Sequence, residues 1–398
     1  MVYCAYRGRE ATANSEQGEP KMNTKRISLL LAGVLALGLL AGCASSKTGE
    51  PAPTAAETVP AETPSTRTVT DSYGRVVEIP ATVRSIVPLG NAPRMVTYLG
   101  LADRVVGVPG CEHSSSPFAA YQWVNDPLWK DLPDVGNDSL GAGEWYAEQL
   151  VACAPDLIVT TYTGDIADDI QNQTGIPTIA VASPALFSEE YNDSLRLIAG
   201  ACGVSERAES LIAFLTGCLE DLERRTKDIP DDSKPRVLAA AATFKGGHSI
   251  DGVYANYPVF QVLSANDVAE GISEKSGGLL VDREQILTWD PDMIFFDAGS
   301  MELVQADYAA DPGFFRQLKA VRNGELYQWP NSTWHSSNVE IPLVSSYYVG
   351  AMLYPEAFAD VDFEAKAAEI FDAFLGEPDF LRVLTDYSLC YGKVTLGE

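Results

Sequence analysis

The feature that most constrains the fold is a short motif that occurs twice in the chain. Residues 148–160 read EQLVACAPDLIVT and residues 284–296 read EQILTWDPDMIFF, so the two copies lie 136 residues apart. In each copy Pro-Asp separates an amphipathic segment from an aliphatic run. Pro ends a helix, Asp caps the turn that follows, and an aliphatic run is typical of a buried strand. The repeat therefore predicts two similarly built α/β lobes.

Apolar strands and amphipathic helices alternate through both parts of the chain. The predicted strands cover residues 85–90, 104–110, 156–164, 176–183, 236–244, 292–300 and 324–330. The predicted helices cover residues 93–101, 144–153, 166–175, 189–203, 254–268, 282–290, 314–321, 340–356, 363–375 and 378–387. This alternation is typical of a parallel sheet that is covered by helices on both faces.

One long helical pattern lies at the midpoint between the two sets of strands. From Ser205 to Lys227 an apolar stripe recurs at helical spacing, and it comprises Ala208, Leu211, Leu215, Leu219 and Leu222. Ser205 is a natural N-cap and Pro230 a natural stop. The predicted domains are therefore an N-terminal lobe of residues 67–204, a connecting helix of residues 205–230 and a C-terminal lobe of residues 231–398.

Residues 22–42 have the features of a lipoprotein signal peptide. Two basic residues precede an apolar run at residues 27–40 that is short for a membrane span. The run leads into Leu-Ala-Gly-Cys43, which resembles the bacterial lipobox, so Cys43 is the predicted lipid attachment site; a plain secretory signal is the alternative. Residues 1–21 are predicted to be an upstream extension. Residues 43–66 are predicted to be the anchor and a disordered tether, because they contain little that can be buried.

These features predict an extracytoplasmic protein, held at the cell membrane by its lipid on a bacterial cell surface or in a periplasm. The formal net charge of −27 argues against a nucleic acid partner, because phosphate binding needs an excess of Lys and Arg. Five cysteines follow Cys43, namely Cys111, Cys153, Cys202, Cys218 and Cys390. An odd number cannot all pair within the chain, so they allow one disulfide whose partners the spacing leaves open.

Several segments together resemble one family, the bacterial solute-binding lipoproteins of ABC importers for iron–siderophore, haem and cobalamin uptake. The resemblance runs from about Thr68 to Pro355. It rests on the shared order of TVTDSYGRVVEIPATVRSIVPLG, YLGLADRVVGV, LPDVG, APDLIVT, DPDMIFF, LKAVRNGELYQWP and LYPE.

The resemblance implies an α/β fold of two Rossmann-like lobes with central parallel sheets, joined by a single long helix, with the ligand cleft between the lobes. It also implies that Glu148 and Glu284 dock onto a permease dimer, where each meets Arg residues; two solvated surface carboxylates are the alternative. The implied ligand is a small-molecule metal complex: an Fe(III)–siderophore, haem or a corrinoid. We expect a monomer that is not an enzyme.

Ligands of open α/β sheets bind at the carboxyl ends of the strands. The predicted ligand-binding residues that follow such strand ends are Asn91, Arg94, His113, Tyr162, Lys245, His248, Trp334 and His335. All three histidines of the chain belong to this set, and His is a common ligand of haem iron. Arg94 lies near a helix start and suits a carboxylate or phosphate. The aromatic residues suit a flat macrocycle or a catecholate.

Two other functions compete with this interpretation. A bare metal ion needs three or four converging ligands, which His113, His248 and His335 with Glu112 would supply; no metal ligands are assigned on this basis. A surface hydrolase would need a nucleophile elbow. The segment GGHSIDG at residues 246–252 lacks the Gly-x-Ser-x-Gly order of that motif.

Overall fold

A computed structural model describes residues 65–113, 116–138, 143–331, 333–334 and 336–397. The predicted upstream extension, the signal peptide, Cys43 and nearly all of the tether lie outside these residues. We call residues 65–204 the first half and residues 231–397 the second half. The two halves belong to one compact unit.

The strands are β1 Thr66–Thr70, β2 Val76–Pro80, β3 Ile86–Leu89, β4 Gly136–Asn137, β5 Glu144–Trp145, β6 Leu157–Thr160, β7 Thr178–Ala180, β8 Arg236–Ala240, β9 Gly252–Ala255, β10 Asn266–Asp267, β11 Gly277–Leu280, β12 Met293–Asp297, β13 Leu326–Trp329, β14 Thr333–Trp334, β15 Ser336–Ser337 and β16 Gly392–Lys393. The helices are α1 Ala92–Tyr98, α2 Ala120–Trp129, α3 Ala147–Cys153, α4 Gly164–Thr174, α5 Glu189–Cys202, α6 Ser205–Thr226, α7 Pro258–Gln261, α8 Arg283–Trp289, α9 Met301–Ala310, α10 Pro312–Phe315, α11 Lys319–Asn323, α12 Glu340–Leu353, α13 Phe363–Leu375 and α14 Phe380–Asp386. None of the helices in the described ranges is both long and apolar enough to cross a bilayer.

The two halves contain separate sheets, and the predicted α/β class is confirmed. The sheet of the first half has the order β3-β6-β7 with parallel pairing. The sheet of the second half has the order β11-β9-β8-β12-β13-β16, with β10 also pairing with β8. Every residue of β3, β6 and β12 is buried, as expected for strands that are covered on both faces.

The long helix α6 lies between the two sheets in the chain. Its buried residues include Ala208, Leu211, Leu215 and Leu222, as the apolar stripe predicted. Leu219 is only partly buried. Ser205 is the first helical residue rather than the N-cap, which is Val204 and makes no side-chain capping bond. The lobe limits themselves stay a prediction.

The duplicated motif adopts the same local structure twice. Helices α3 and α8 each have seven residues and each ends at a left-handed residue, Ala154 with φ 46° and Asp290 with φ 37°. In the first copy the Asp156 carboxylate accepts a 2.7 Å bond from the Arg84 amide. In the second the Asp292 carboxylate accepts a 2.9 Å bond from the Arg236 amide. Each Pro-Asp turn is therefore bonded to the segment that leads into the neighbouring parallel strand.

The structure corrects four predicted elements. The predicted helix at residues 314–321 is instead the two short helices α10 and α11, with the non-helical residues 316–318 between them. Residues 104–110 make only isolated bridges, at Val105 and Val108, because Gly107 and Pro109 interrupt the run. The predicted helix at residues 254–268 is instead β9, the four-residue α7 and β10. The predicted helix at residues 144–153 starts only at residue 147, after β5.

Two further differences concern the second half. Its sheet is mixed rather than purely parallel, since β9, β11 and β16 pair antiparallel with their neighbours. Helices α13 and α14 also contact the first half: Phe374 packs on Tyr98 with ring centroids 5.1 Å apart, and Tyr387 packs on Trp123 at the same separation. Both contacts are edge-to-face, and they extend the core across the two halves.

Candidate functional site

The carboxyl ends of the strands carry loops that are braced in the same way in both halves. After β3, the Asn91 amide donates a 2.7 Å bond to the Thr161 hydroxyl, which follows β6. After β8, the Thr243 hydroxyl donates a 2.9 Å bond to Asp297, the last residue of β12. A bond between adjacent strand-end loops holds side chains in fixed positions, as a binding site requires.

The loops of the two halves approach each other directly. A β-carbon added to Gly299 of the second half would lie 2.8 Å from Cε1 of Phe118 of the first half. Glycine is therefore required at this position, because a side chain would collide with the Phe118 ring. The strand-end loops of the two halves are therefore in close contact at Phe118 and Gly299.

In the first half, Tyr162 and Asn91 lie at this edge. The Tyr162 hydroxyl donates a 3.0 Å bond to the buried Asp138 carboxylate. Burial and the Asp138 charge raise the pKa of Tyr162 well above its ordinary value, so it stays a phenol. The Asn91 side-chain amide donates to the Ser183 hydroxyl at 3.0 Å, and its carbonyl oxygen accepts no hydrogen bond from the described part of the chain.

Glu112 and His113 follow the isolated bridge at Val108. The Glu112 carboxylate is buried and accepts bonds from the Tyr121 hydroxyl at 3.0 Å and the Gln122 amide at 2.6 Å. Burial raises the pKa of Glu112 to about 7. Nε2 of His113 is buried and has no hydrogen-bond partner among the described residues, which exclude residues 114 and 115. The Glu112 carboxylate is thus bonded to its neighbours, whereas Nε2 of His113 has no described partner.

Arg94 is fully buried rather than displayed at the cleft. Its exposed fraction is 1%, and its Nε donates a 2.8 Å bond to Oδ1 of Asn338 in the second half. Its guanidinium carbon lies 4.5 Å from the centroid of the Tyr121 ring. Arg94 therefore bonds to protein groups on both sides of the boundary between the halves.

In the second half, Lys245 and His248 belong to one tight loop. The His248 ring stacks on Phe244 with centroids 4.1 Å apart, and its Nε2 lies 2.9 Å from the Phe244 carbonyl oxygen. The Phe244 ring in turn lies over Gly278, where an added β-carbon would be 2.2 Å from the ring. Lys245 is exposed at the tip with φ 50°. A residue with this strained backbone persists only where its surroundings hold it.

Asp297 is a buried carboxyl that the sequence did not single out. It accepts bonds from the Gly299 amide at 2.9 Å, the Thr243 hydroxyl at 2.9 Å and the Tyr254 hydroxyl at 3.3 Å. Burial raises the pKa of Asp297 to about 6. The detectable signal was a carboxylate at the end of the apolar run MIFFD. Asp138, Tyr98 and Glu340 had no comparable signal in the sequence.

The remaining predicted ligand residues lie between β13 and α12. The backbone of Trp334 pairs with Ser336 in the two-stranded β14–β15 hairpin. The structure does not describe the side chain of Trp334 or any part of His335. Their roles stay predictions.

The competing interpretations were a bare-metal site and a surface hydrolase. No group of three or more His, Cys, Asp or Glu side chains in the described ranges is placed to hold a metal ion, and His335 of the bare-metal set lies outside those ranges. The Ser249 hydroxyl donates to Asp307 at 2.6 Å, while His248 is occupied with the Phe244 carbonyl. This serine is therefore not paired with the neighbouring histidine as a nucleophile would be. None of the five cysteines in the described ranges forms a disulfide with another described cysteine.

Glu148 and Glu284 occupy equivalent places in the two copies of the motif. Each lies in the first turn of its helix, α3 or α8, and each is exposed. An acidic side chain in this position is favoured by the helix dipole and stays available to a partner.

Two surface cavities lie away from these residues. One of about 650 Å³ is lined by Asp231, Lys234, Phe260 and Asp267, and the other, of about 680 Å³, lies between α6 and α13. Neither is lined by a predicted ligand residue. The candidate site at the strand ends is therefore separate from both cavities.

The described residues form a two-sheet α/β body with braced strand-end loops, and Glu148 and Glu284 are exposed at equivalent places in it. The model of the periplasmic binding protein family matches residues 93–333, and the chain belongs to that family. It is an ABC transporter substrate-binding protein, a class that works outside the cytoplasm with a permease.

Individual relatives agree with this family. YvrC of Bacillus subtilis, an ABC transporter substrate-binding lipoprotein, is 24% identical over 310 residues, which are 76% of this chain and 89% of YvrC. The Fe(3+)-citrate-binding protein YfmC of the same organism is 25% identical over 209 residues, 51% of this chain and 61% of YfmC.

Solved structures share the fold at low sequence identity. A periplasmic solute binding protein from Veillonella parvula has a TM-score of 0.62 and 19% identity, covering 78% of this chain and 93% of its own. The molybdate-binding protein MolA of Haemophilus influenzae has a TM-score of 0.60 and 20% identity, covering 78% and 98%. The haem-binding protein HutB of Vibrio cholerae has a TM-score of 0.51 and 16% identity, covering 68% and 100%.

Proposed function

We propose that this protein captures a chelated metal between its two halves and delivers it, chemically unchanged, to the permease of an ABC importer. The observation that carries the proposal is the meeting of Phe118 with Gly299, which brings the strand-end loops of both halves together. Ligands of α/β sheets bind at such strand ends. The proposed ligand is an iron–siderophore complex, haem or a corrinoid.

The ligand class is supported by chemistry at the strand ends. The predicted residues include the aromatic Tyr162, the cation Lys245, and His113, whose Nε2 has no partner among the described residues. An aromatic face and a cation suit a flat or anionic metal complex, and a free imidazole nitrogen suits its metal. Relatives bind such cargo: YfmC is named for Fe(3+)-citrate and HutB for haem.

The residues proposed to line the ligand site are the predicted ligand-binding residues other than Arg94. Asn91, His113, Tyr162, Lys245, His248, Trp334 and His335 are proposed to face the ligand. Arg94 belonged to the predicted set, but it is buried and bonded to Asn338, so it is not proposed to face the ligand.

Delivery is proposed to use Glu148 and Glu284. The two carboxylates are exposed at matching sites of two similar halves, which suits a permease dimer with basic residues on each subunit. We also propose that Cys43 is lipidated and holds the monomer at the membrane. YvrC, a relative over most of this chain, is named as a lipoprotein.

A tryptophan-fluorescence titration of the mature protein tests the ligand class. The probes are ferric citrate, a ferric catecholate, a ferric hydroxamate, haemin and cobalamin, with nickel chloride and sodium molybdate as arms for unchelated ions. We expect saturation by one complex at micromolar or lower concentration, with the complex recovered intact. Saturation by an unchelated ion alone, or by none of the probes, would overturn the proposal.

The docking role is tested in cells with the double variant Glu148→Ala/Glu284→Ala. We expect uptake of the identified ligand to be lost while the purified variant binds it as tightly as the wild type. Glu206→Ala is the matched control, because Glu206 is also exposed in the first turn of a helix. Uptake that survives the double variant, or a weakened titration, would contradict the docking role.

A further inference from the structure

Four hydrogen bonds join the first half to residues 338–340, at the start of α12. Arg94 Nε donates to Asn338 Oδ1 at 2.8 Å, and Asn338 Nδ2 donates to the Phe118 carbonyl at 3.1 Å. The Tyr98 hydroxyl donates to Glu340 Oε2 at 2.5 Å and accepts from the Val339 amide at 3.1 Å. These bonds connect parts of the chain that lie more than 200 residues apart.

The bonds are shielded from water. Arg94 is 1% exposed, and Asn338 and Glu340 are fully buried. A buried charge is stable only when it is paired and hydrogen-bonded, so such a network accepts few alternative geometries. The four bonds therefore stabilise the arrangement of the two halves that the structure shows.

Asn338 has a particular place in the chain. It directly follows β15, whose Ser336 and Ser337 pair with Trp334 and Thr333 of β14. Its side chain is bonded at Oδ1 to Arg94 and at Nδ2 to the Phe118 carbonyl, and both partners belong to the first half. Asn338, the first residue after the hairpin, is thus hydrogen-bonded to the first half, although the hairpin belongs to the second half.

We propose that Arg94 is a positioning residue: by holding Asn338, it fixes the exit of the β14–β15 hairpin against the first half. The backbone of β15 is then held at its end by the first half as well as by β14. Arg94 acts on ligand binding through Asn338 and does not contact the ligand. The inference about ligand affinity rests on the proposed function, whereas the inference about hairpin position does not.

Hydrogen exchange tests the positioning role without any ligand. Arg94→Met removes the donor and keeps an unbranched side chain, and we expect amides of residues 333–340 to exchange at least 10-fold faster. Amides of β8 and β12 should keep their wild-type rates. Arg104→Met is the control, because Arg104 donates to the carbonyls of Val83 and Cys202 within the first half.

Two outcomes of this experiment would overturn the proposal. Unchanged exchange at residues 333–340 would mean that Arg94 does not hold the hairpin. An equal increase throughout the protein would mean that Arg94 supports overall stability only. Asn338→Ala removes the same bond without deleting a charge, and it replaces Arg94→Met if that variant does not fold.

A ligand titration separates positioning from direct contact. With ferric citrate and haemin as probes, we expect Arg94→Met and Asn338→Ala to weaken binding by a similar factor of about 10, and the double variant to be no weaker than either. Loss of binding in Arg94→Met with wild-type binding in Asn338→Ala would show direct contact and overturn the proposal. If the wild type binds neither probe nor any other complex, the proposed function fails, and the exchange experiment alone decides the positioning role.

Discussion

The hydroxyl of Tyr98 donates a 2.5 Å hydrogen bond to Oε2 of Glu340 and so joins the first helix of the first half to α12 of the second. The other oxygen of Glu340 is buried and accepts no hydrogen bond from the residues that the structure describes. Burial raises the pKa of Glu340, and the Tyr98 bond opposes that increase. The Tyr98 hydroxyl is therefore the side-chain donor that compensates for the burial of the Glu340 carboxyl group.

We expect Tyr98→Phe to destabilise the protein by about 1–3 kcal/mol, because it leaves a buried acceptor without its donor while the ring keeps its packing on Phe374. Urea unfolding followed by circular dichroism measures this change. Tyr387→Phe, at a tyrosine that is 54% exposed, is the control and should have little effect. Equal stabilities of Tyr98→Phe and the wild type would contradict the importance of the bond.

The duplicated Pro-Asp turns predict a matched pair of stability changes. Asp156 accepts bonds from the amides of Arg84 and Ser85, and Asp292 accepts one from the amide of Arg236. Replacing either aspartate by Ala should lower the free energy of unfolding by about 1–2 kcal/mol. The effects should add in the double variant, because the two sites lie in different sheets.

Denaturant unfolding of both single variants and of the double variant checks this expectation. Asp232→Ala, at an exposed position, is the control. A loss at only one of the two sites would show that the turns are similar in sequence but not in the energy that they contribute.

The buried Asp297 predicts a pH-dependent stability. Burial raises its pKa to about 6 from an ordinary value of 3.8. The folded state therefore holds the proton more tightly than the unfolded state, so this contribution is complete below pH 4 and is lost as the pH rises through 6. The amide of Asp297→Asn cannot ionise, so this variant does not lose stability through this group as the pH rises.

We expect the stability of Asp297→Asn relative to the wild type to increase by on the order of 2 kcal/mol between pH 4 and pH 7.5. Thermal and urea unfolding at a series of pH values measures the difference. A difference between the two proteins that stays constant with pH would contradict the raised pKa.

The loop that carries Lys245 and His248 predicts an indirect effect on binding. In Gly278→Ala the new methyl group would collide with the Phe244 ring, on which His248 stacks. We expect a loss of about 1–3 kcal/mol in stability, as in other overpacked sites, and weaker ligand binding. Gly200→Ala is the control, since a β-carbon there meets no atom within 4 Å.

Unfolding and ligand titration of these two variants test the role of the loop. Weakened stability with wild-type affinity in Gly278→Ala would show that the loop carrying Lys245 and His248 does not contact the ligand. An effect of Gly200→Ala as large as that of Gly278→Ala would show that the measurements do not report on the loop.

Local patterns were enough to predict much of the architecture. The repeated EQ…PD segments, the apolar runs of β6 and β12, and the stripe of α6 all depend on residues close in sequence. The secondary structure of these segments is decided by turn chemistry and by the period of apolar residues. The predictions failed at residues 104–110 and 254–268, where Gly, Pro and Asn interrupt the period and contacts with distant strands decide the conformation.

The candidate site divides in the same way. The sequence by itself determined which residues follow the ends of β3, β6, β8 and β13, whereas His113 follows only the isolated bridge at Val108. Only the tertiary structure decided that Arg94 is buried against Asn338 and that Tyr98 bonds to Glu340, because these pairs are more than 200 residues apart. Hydrogen bonds over such separations depend on the packing of whole helices, and no local period or spacing encodes them.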